Sequence, residues 1–315
     1  MKKKEGPNHK PVRKVAVVIL NWNRKDMVLD CLDHIRRLNY PVHSIIVVDN
    51  ASTDGSVQAI RQAFPEAVLV VNDKNYGAPQ GKNIGLRKAL ETDAEYVYMV
   101  DNDITVDPDS LSRLVETAEG DPVVGMVGTK MYDAGKPGVL LSAGGVLTFT
   151  ENVGSGRGRQ EKDVGQYDSI EEVDYLWGGA LLAKRSVLEK TGLFDTGYLG
   201  YWFEDTDLSM RVKRAGYKIL YHPRAVVWHK PHAASEQFSY RKKYNATRNA
   251  VRFMKKYATF GQWIKYLFFV IGGIPYAFFR DLIFRRSGMG AVGKAHGLIA
   301  GLMQKLNREE EWGRY

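Results

Sequence analysis

The sequence predicts an α/β fold with a mostly parallel central sheet flanked by helices and followed by a C-terminal helical appendage. One reason is that apolar runs of strand length alternate with segments of helical period over residues 14–100. A second is that these runs are unbroken, as in Val15-Ala-Val-Val-Ile-Leu20, which is typical of parallel strands covered by helices on both faces. The chain has 315 residues, enough to bury a large core.

The elements are predicted in order along the chain. In the first half we predict strands at 14–20, 44–49, 67–71 and 96–100, and helices at 25–38, at 52–64 and in a segment that ends at 90. In the second half we predict strands at 123–130, 139–150, 218–222 and 225–229, a buried apolar segment at 176–185, helices at 186–191, 205–215 and 240–257, and a further helical segment after 257. The chain thus divides into a basic leader (1–13), an α/β unit (14–235) whose halves meet at 120, and a helical region (236–315).

The formal net charge of +9 predicts an anionic partner. Residues 237–280 contain nine Lys or Arg and no Asp or Glu, and they include Tyr266–Phe279, 14 residues without a charge. A bilayer span needs ~20 residues, and we expect Gly272, Gly273 and Pro275 to interrupt the helix, so the segment is predicted to lie on a membrane surface as a hairpin. A buried helical pair or a homodimer interface is the alternative. This combination of charge and apolar residues favours a membrane surface over nucleic acid as the partner.

The chain contains one cysteine, Cys31, which excludes an intramolecular disulfide and fits a reducing compartment. No segment has the charged start, apolar middle and small-residue cleavage site of a secretion signal. We therefore expect a cytoplasmic location, peripheral on the inner face of the cell membrane. Cys31 lies in an apolar-periodic segment, which predicts a structural thiol.

Two acids follow the strand predicted at 96–100, in the triplet Asp101-Asn102-Asp103. Because strand residues alternate in direction, Asp101 and Asp103 can project to one side at the edge of the sheet where ligands usually bind. His229 ends a later strand, and imidazole with carboxylate suits Mn²⁺ or Mg²⁺ when diphosphate oxygens complete the shell. The alternatives are a strand that stops at a solvated turn and a histidine with a structural hydrogen bond.

Polar residues also end the first two strands, and they predict a nucleotide site. Asn21 and Asp49 are expected at neighbouring strand ends, where a carboxylate can accept from the N–H of a pyrimidine. The first strand does not end in G-x-G-x-x-G, and no G-x-x-x-x-G-K-[ST] occurs, so the usual phosphate loops of Rossmann dehydrogenases and P-loop enzymes are not found. The loop containing Asn75 and Gly77 precedes a helix that carries Asn83, and its glycines permit close backbone approach to a ligand.

The helix predicted at 205–215 has an acidic first turn preceded by aromatic residues. The macrodipole favours an ionised carboxylate here, so Glu204 or Asp205 is available as a base, although the same position stabilises a helix without any function. The aromatic residues before it are typical of a wall on which a sugar stacks. Asp207 and Arg211, spaced i, i+4, predict a surface ion pair.

The chain resembles family 2 of the glycosyltransferases, nucleotide-sugar-dependent enzymes with the GT-A fold, over about Val15–Lys256. The resemblance rests on ordered blocks of sequence: Val-Val-Ile-Leu-Asn-Trp-Asn, Val-Val-Asp-Asn-Ala-Ser-Thr-Asp-Gly-Ser, Asn-Tyr-Gly-Ala-Pro-Gln-Gly-Lys-Asn-Ile-Gly, Asp-Asn-Asp, Leu-Trp-Gly-Gly-Ala-Leu-Leu, Gly-Leu-Phe-Asp, Phe-Glu-Asp-Thr-Asp-Leu and Trp-His-Lys. The most similar subgroup includes rhamnosyltransferase-like and galactofuranosyltransferase-like enzymes of surface polysaccharide synthesis. It implies a GT-A catalytic domain at 14–235, with a nucleotide-binding half (14–120) and an acceptor-binding half (121–235).

The resemblance also implies roles for individual residues. Asp205 would be the catalytic base, and Asp103 and His229 would be the metal ligands. The donor would be bound by Asn21, Asp49, Asn75, Gly77, Asn83, Asp101 and Asn102. The sugar and acceptor side would be lined by Trp177, Gly178, Gly179, Trp202 and Glu204.

The implied function is inverting transfer, dependent on Mn²⁺ or Mg²⁺, of a sugar from a nucleotide-diphospho-sugar to a hydroxyl of a glycan or polyprenyl-linked acceptor. A dTDP- or UDP-sugar is expected as donor, with rhamnose as one candidate. Two alternatives remain at this point: a metal-dependent nucleotidyltransferase or nucleotide-sugar hydrolase, and a carbohydrate-binding scaffold without catalysis.

Overall fold

The structure is a computed structural model that describes residues 12–150, 152–200, 202–230, 240–285 and 289–304. The predicted leader therefore lies almost wholly outside the described residues. The strands are β1 (Val15–Asn21), β2 (Ser44–Asp49), β3 (Val68–Val71), β4 (Tyr96–Asp101), β5 (Ile104–Val106), β6 (Val124–Asp133), β7 (Leu140–Ser142), β8 (Gly145–Leu147), β9 (Gly154–Gly156), β10 (Glu171–Glu172), β11 (Ala180–Lys184) and β12 (Lys218–His229). The helices are α1 (Lys25–Arg36), α2 (Ser56–Ala63), α3 (Ala78–Leu90), α4 (Ser110–Gly120), α5 (Arg185–Thr191), α6 (Glu204–Arg214), α7 (Tyr240–Tyr257), α8 (Phe260–Arg285) and α9 (Met289–Met303).

A ten-stranded sheet forms the centre of the described part of the chain, with most of its strands in the order β10-β12-β6-β11-β4-β1-β2-β3. Strands β4, β1, β2 and β3 are parallel, and so are β6 and β12, whereas β11 runs antiparallel between β4 and β6. The predicted α/β class is confirmed. The sheet is parallel in its first half and mixed in its second, where β11 reverses direction.

Each face of the sheet is covered by helices because its strand residues alternate between two cores. Val15, Val17 and Ile19 of β1 pack on one side with α1, α2 and α4, while Ala16 and Val18 pack on the other with α3, α5 and α6. Cys31 of α1 is fully buried in the first core, and burial raises the pKa of its thiol, as a structural cysteine requires. This double cover explains why the strands are apolar throughout.

Two strand predictions differ from the structure. The segments 218–222 and 225–229 form one strand, β12, with an irregularity between His222 and Val226 that accommodates Pro223. The segment 139–150 is divided into the short strands β7 and β8, because Gly144 takes a φ of 80° and turns the chain. Neither change alters the order of elements around the sheet.

The C-terminal helices form a third core with residues of the α/β unit. Val251, Phe253 and Met254 of α7 pack with Tyr198 of the loop before α6. Helix α9 lies directly against α7, where a Cβ at Gly297 would overlap the backbone of α7. The helix α7 is thus packed on the α/β unit and also carries α9.

The predicted interruption of the apolar segment is wrong. Helix α8 is continuous from Phe260 to Arg285 with Pro275 inside it, although an interior proline removes a helical hydrogen bond and crowds the preceding turn. The hairpin instead consists of α8 and α9. In the described part of the chain, no helix combines the length with the hydropathy that a bilayer span requires.

Candidate active site

The candidate site lies at the carboxyl ends of β1, β2 and β4, where the strand order reverses around β1. In the pairing register Asn21 is opposite Asp49, and Leu20 is opposite Asp101. A crevice at such a reversal is the usual ligand site of an open α/β sheet. The prediction that Asn21 and Asp49 occupy neighbouring strand ends is confirmed.

These strand ends are joined by a chain of side-chain hydrogen bonds. The Asn21 amide donates to Asp49 Oδ2 at 3.0 Å, and the Asn102 amide donates to Asn21 Oδ1 at 2.7 Å. The other Asp49 oxygen accepts from the backbone N–H of Ser52 at 2.7 Å. Asn21 and Asp49 have no exposed surface, so they fix the floor of the crevice, and their contacts to a donor remain a prediction.

The loop before α3 forms one wall of the crevice. Asn75 is exposed and accepts from the N–H of Gly77 at 2.8 Å, and Gly77 has a φ of 81° with open space around its Cα. Asn83, by contrast, is buried and exchanges two hydrogen bonds with the backbone of Phe194, at 2.8 and 2.9 Å. Its amide thus holds the neighbouring loop in place, and its contact with a donor stays a prediction.

Asp101 and Asp103 have different partners. Asp101 Oδ1 lies 2.8 Å from Nζ of Lys82, a residue of α3. Asp103 Oδ1 lies 3.5 Å from Nε2 of His229. The two acids thus lie in different surroundings, and the metal-ligand role of Asp103 and the donor-binding role of Asp101 stay predictions.

Asp103 and His229 fit the part of a divalent cation site that a protein supplies. Asp103 is buried and immediately precedes β5. His229 is the last residue of β12, which pairs with β5. Across the described residues, no three His, Cys, Asp or Glu side chains converge as metal ligands. One carboxylate and one imidazole leave positions for diphosphate and water oxygens, as in sites that share a cation with a substrate.

Asp205 lies in the first turn of α6. Its Oδ2 accepts from the N–H of Gly178 at 2.8 Å, and its Oδ1 accepts from the N–H of Thr206 at 2.7 Å. Burial raises the pKa of this carboxyl, against the effect of these hydrogen bonds and of the Lys82 charge. A half-buried carboxylate with a raised pKa and fixed orientation has the properties of a general base.

Glu204 is the neighbour of Asp205 and is more deeply buried. Its Oε2 has no hydrogen-bond partner among the described residues. Burial, with the adjacent Asp205 charge, raises the pKa of Glu204 to about 8. Burial and the neighbouring carboxylate thus both oppose ionisation of Glu204.

The remaining residues predicted for the acceptor side differ in exposure. Gly178 and Gly179 are enclosed, because a Cβ at Gly178 would lie 3.3 Å from Asp205 and one at Gly179 would lie 2.8 Å from Met131. Trp177 is half-buried, and Trp202 is 38% exposed on the aromatic segment before α6. Their contacts with a sugar remain a prediction.

The predicted surface ion pair between Asp207 and Arg211 is wrong. The two groups are 2.9 Å apart as expected, but their side chains are 0% and 4% exposed. Helix α7 covers this face of α6, and its Lys256 also pairs with Asp207. The i, i+4 spacing predicts the pair and cannot reveal what covers it.

Lys82 is the site residue that the sequence analysis missed. Its side chain is 11% exposed, and Nζ donates to the carbonyl oxygen of Gly178 at 3.3 Å as well as pairing with Asp101. Burial alone would lower the pKa of Lys82, but the charges of Asp101 and Glu204 raise it. The available signal was its position immediately before Asn83, in the glycine-rich segment that opens α3.

Comparison with known proteins places the chain in a family. The family model described as Glycosyl transferase family 2 matches residues 16–190. The N-acetylglucosaminyl-diphospho-decaprenol L-rhamnosyltransferase of Mycobacterium tuberculosis is 29% identical over 211 residues, which cover 60% of this chain and 67% of that protein. The poly-beta-1,6-N-acetyl-D-glucosamine synthase of Staphylococcus epidermidis is 25% identical over 222 residues, 70% of this chain and 50% of that protein, so the chain spans about half of its length.

Solved structures share the fold. The mannosyltransferase PcManGT from Pyrobaculum calidifontis, solved with GDP-Man and Mn²⁺, superposes with a TM-score of 0.58 at 17% identity, covering 92% of this chain and 87% of that one. GalNAc-T7, solved with UDP, GalNAc and Mn²⁺, gives a TM-score of 0.62 at 16% identity, covering 78% and 48%. These likenesses identify the fold as GT-A. Since the family model also spans more than half of the sequence, this chain belongs to glycosyl transferase family 2 and is a glycosyltransferase.

Proposed function

We propose that this enzyme is an inverting, metal-dependent transferase that moves a sugar from a dTDP- or UDP-sugar to a hydroxyl of a polyprenyl-linked or glycan acceptor. The observation that carries the proposal is the position of Asp205, which is fixed by the N–H of Gly178, while Lys82 contacts both Gly178 and Asp101. The name of the mycobacterial relative supports a rhamnosyl donor and a polyprenyl-diphosphate acceptor.

The chemistry is a single displacement. Asp205 accepts the proton of the acceptor hydroxyl while that oxygen attacks the anomeric carbon, and the bond from this carbon to the diphosphate oxygen breaks with its electrons leaving on the diphosphate. Gly178 and Thr206 hold both carboxylate oxygens, so the base is oriented before the acceptor arrives. One base and one displacement produce inversion at the anomeric carbon.

The donor half stabilises the leaving group. Asp103 and His229 would hold a divalent cation, which supplies Lewis-acid stabilisation of the diphosphate when bound. Lys82 adds a fixed positive charge beside Asp101 at the end of β4. Charge placed in advance at the leaving group is among the largest contributions to catalysis.

The C-terminal helices are proposed to dock on the membrane that carries the acceptor. Helix α8 exposes an apolar stripe formed by Ile264, Phe268, Ile271, Phe279 and Leu282, which are between 49% and 74% exposed. Their spacing places them on one face of the helix, and the sequence around them is basic. An apolar face in a basic setting suits a surface of anionic lipid.

The proposed function is tested by asking whether turnover of the nucleotide-sugar depends on the acceptor. UDP- and dTDP-sugars are incubated with Mn²⁺ or Mg²⁺, with and without N-acetylglucosaminyl-diphospho-polyprenol, while nucleoside diphosphate release and the lipid product are measured. We expect release to require acceptor and the new bond to have the inverted configuration. Release of nucleoside diphosphate without acceptor would identify a nucleotide-sugar hydrolase. Transfer of a nucleoside monophosphate group would identify a nucleotidyltransferase.

A further inference from the structure

Helix α7 holds the loop that presents the base. We define the presenting loop as residues 195–203, of which 201 lies outside the described residues; it ends where α6 begins. The Asn249 side chain exchanges hydrogen bonds with the backbone of Leu199, at 3.2 and 3.0 Å, and donates to the carbonyl oxygen of Trp202 at 3.1 Å. Asn249 has no exposed surface, and Arg248 adds a bond to Gly197 O at 2.9 Å.

The end of the presenting loop has a backbone conformation that side chains disfavour. Trp202 and Phe203 have φ values of 75° and 76°, in the left-handed region that bulky residues rarely adopt. These two residues immediately precede Glu204 and Asp205, so their conformation sets the direction in which α6 starts. A strained segment of this kind persists only where its surroundings enforce it, and the bond from Asn249 to Trp202 is part of that enforcement.

Helix α7 also fixes the first turn of α6 by charge. Lys256 Nζ lies 2.9 Å from Asp195 Oδ2, at the start of the presenting loop, and it pairs with Asp207, two residues after Asp205. Arg252 pairs with Asp195 at 2.9 Å, and the Tyr257 hydroxyl donates to Asp207 at 2.8 Å. The side chains of Asp195 and Asp207 are at most 2% exposed. One lysine thus links the two ends of the segment that carries the base.

We propose that Asn249 and Lys256 of α7 are positioning residues for Asp205, so that the C-terminal helical region is part of the catalytic machinery. They act through the presenting loop and the first turn of α6, and they touch no residue assigned to the donor. The inference rests on the transfer function proposed above. It predicts that loosening α7 lowers the rate of the chemical step and leaves donor binding intact.

The experiment compares Lys256→Met, Lys256→Arg and Asn249→Ala with the control Lys255→Met in the full-length chain. Lys256→Met is expected to fold, because Asp195 keeps Arg252 and Asp207 keeps Arg211 as partners. Lys255 is adjacent on α7, but it donates to carbonyl oxygens at the end of α9 and not to the presenting loop. The control therefore disturbs the same helix without loosening the base.

Two measurements decide the outcome. We expect kcat for transfer to fall about 10- to 100-fold in Lys256→Met and Asn249→Ala, with partial recovery in Lys256→Arg and an unchanged Kd for UDP with Mn²⁺. We also expect faster amide hydrogen exchange across Glu204–Asp207 in the two variants and not in Lys255→Met. Unchanged exchange and kcat, or an equal loss in the control, would overturn the positioning role. If the wild-type enzyme transfers no sugar, the proposed function fails, while the exchange measurement still tests the contact.

Discussion

Lys82 Nζ lies 2.8 Å from Asp101 Oδ1 and 3.3 Å from the carbonyl oxygen of Gly178. Gly178 in turn donates its N–H to Asp205, so one buried cation joins the end of β4 to the residue that holds the base. The positive charge of Lys82 therefore acts on both the proposed donor half and the proposed acceptor half of the site, so a change in one half alters the electrostatics of the other.

Replacing Lys82 tests this connection. We expect Lys82→Met to lower kcat by about 100-fold, because a preorganised charge at the leaving group is lost and Asp101 loses its partner. Steady-state kinetics with saturating donor measure it. Lys88→Met is the matched control on α3, since Lys88 makes only an exposed pair with Glu91. Equal kcat values for Lys82→Met and the wild-type enzyme would remove Lys82 from the mechanism.

Removing the base separates catalysis from binding. We expect Asp205→Asn to lower kcat by about 10² to 10⁴, since asparagine keeps a similar shape but cannot take the proton. Binding of UDP with Mn²⁺, measured by calorimetry, is expected to stay within about twofold, because Asp205 is held by Gly178 and Thr206 and is not among the residues proposed to bind the donor. Asp109→Asn, at the start of α4, controls for loss of an acid at a helix terminus. Full activity of Asp205→Asn would refute the assignment.

The pKa of Glu204 predicts an unusual pH dependence of stability. The native carboxyl has a raised pKa of about 8, against about 4.3 in an unfolded chain. Between these values the native state keeps a proton that the unfolded state has lost, so the free energy of unfolding falls as pH rises. We expect Glu204→Gln to flatten this slope and to be more stable than the wild-type protein at about pH 8, by at least about 1 kcal/mol. Urea unfolding at about pH 6 and about pH 8 measures both quantities.

A carboxylate with the opposite shift provides the control. Hydrogen bonds from Arg36 lower the pKa of Glu66, so its contribution to stability is lost only as pH falls into the acid range. Glu66→Gln should therefore leave the slope between about pH 6 and about pH 8 unchanged. A Glu204→Gln slope identical to the wild-type slope would show that Glu204 is already ionised at neutral pH.

The sequence predicted those parts of the site that local rules determine. Asn21 and Asp49 meet because consecutive parallel strands end at one edge of the sheet. The approach of Lys82 to Glu204 depends instead on how α3 and α6 pack on the same face, which periodicity does not specify. The burial of Asp207 is a similar case, since only the position of α7 makes it internal.

The metal site predicts a coupled loss of cation and nucleotide binding. Thermal unfolding with UDP should show a rise in Tm on addition of Mn²⁺. His229→Ala or Asp103→Ala should raise the Mn²⁺ concentration that is needed for this rise at least about tenfold. His43→Gln is the control, because His43 pairs with Asp93 outside the site. An unchanged Mn²⁺ response in both site variants would place the cation elsewhere.

The apolar stripe of α8 predicts binding to anionic vesicles. We expect Phe268→Ser combined with Phe279→Ser to reduce flotation with phosphatidylglycerol vesicles at least about fivefold, because these side chains are 74% and 61% exposed and each buries a large apolar area in the lipid interface. Ile170→Ser is the control, since Ile170 is 51% exposed elsewhere on the surface. Activity on a short, water-soluble acceptor should be retained, because neither phenylalanine lies in the site. If the double variant floats like the wild-type protein, or instead converts a dimer into a monomer in sedimentation, the stripe is not a membrane surface.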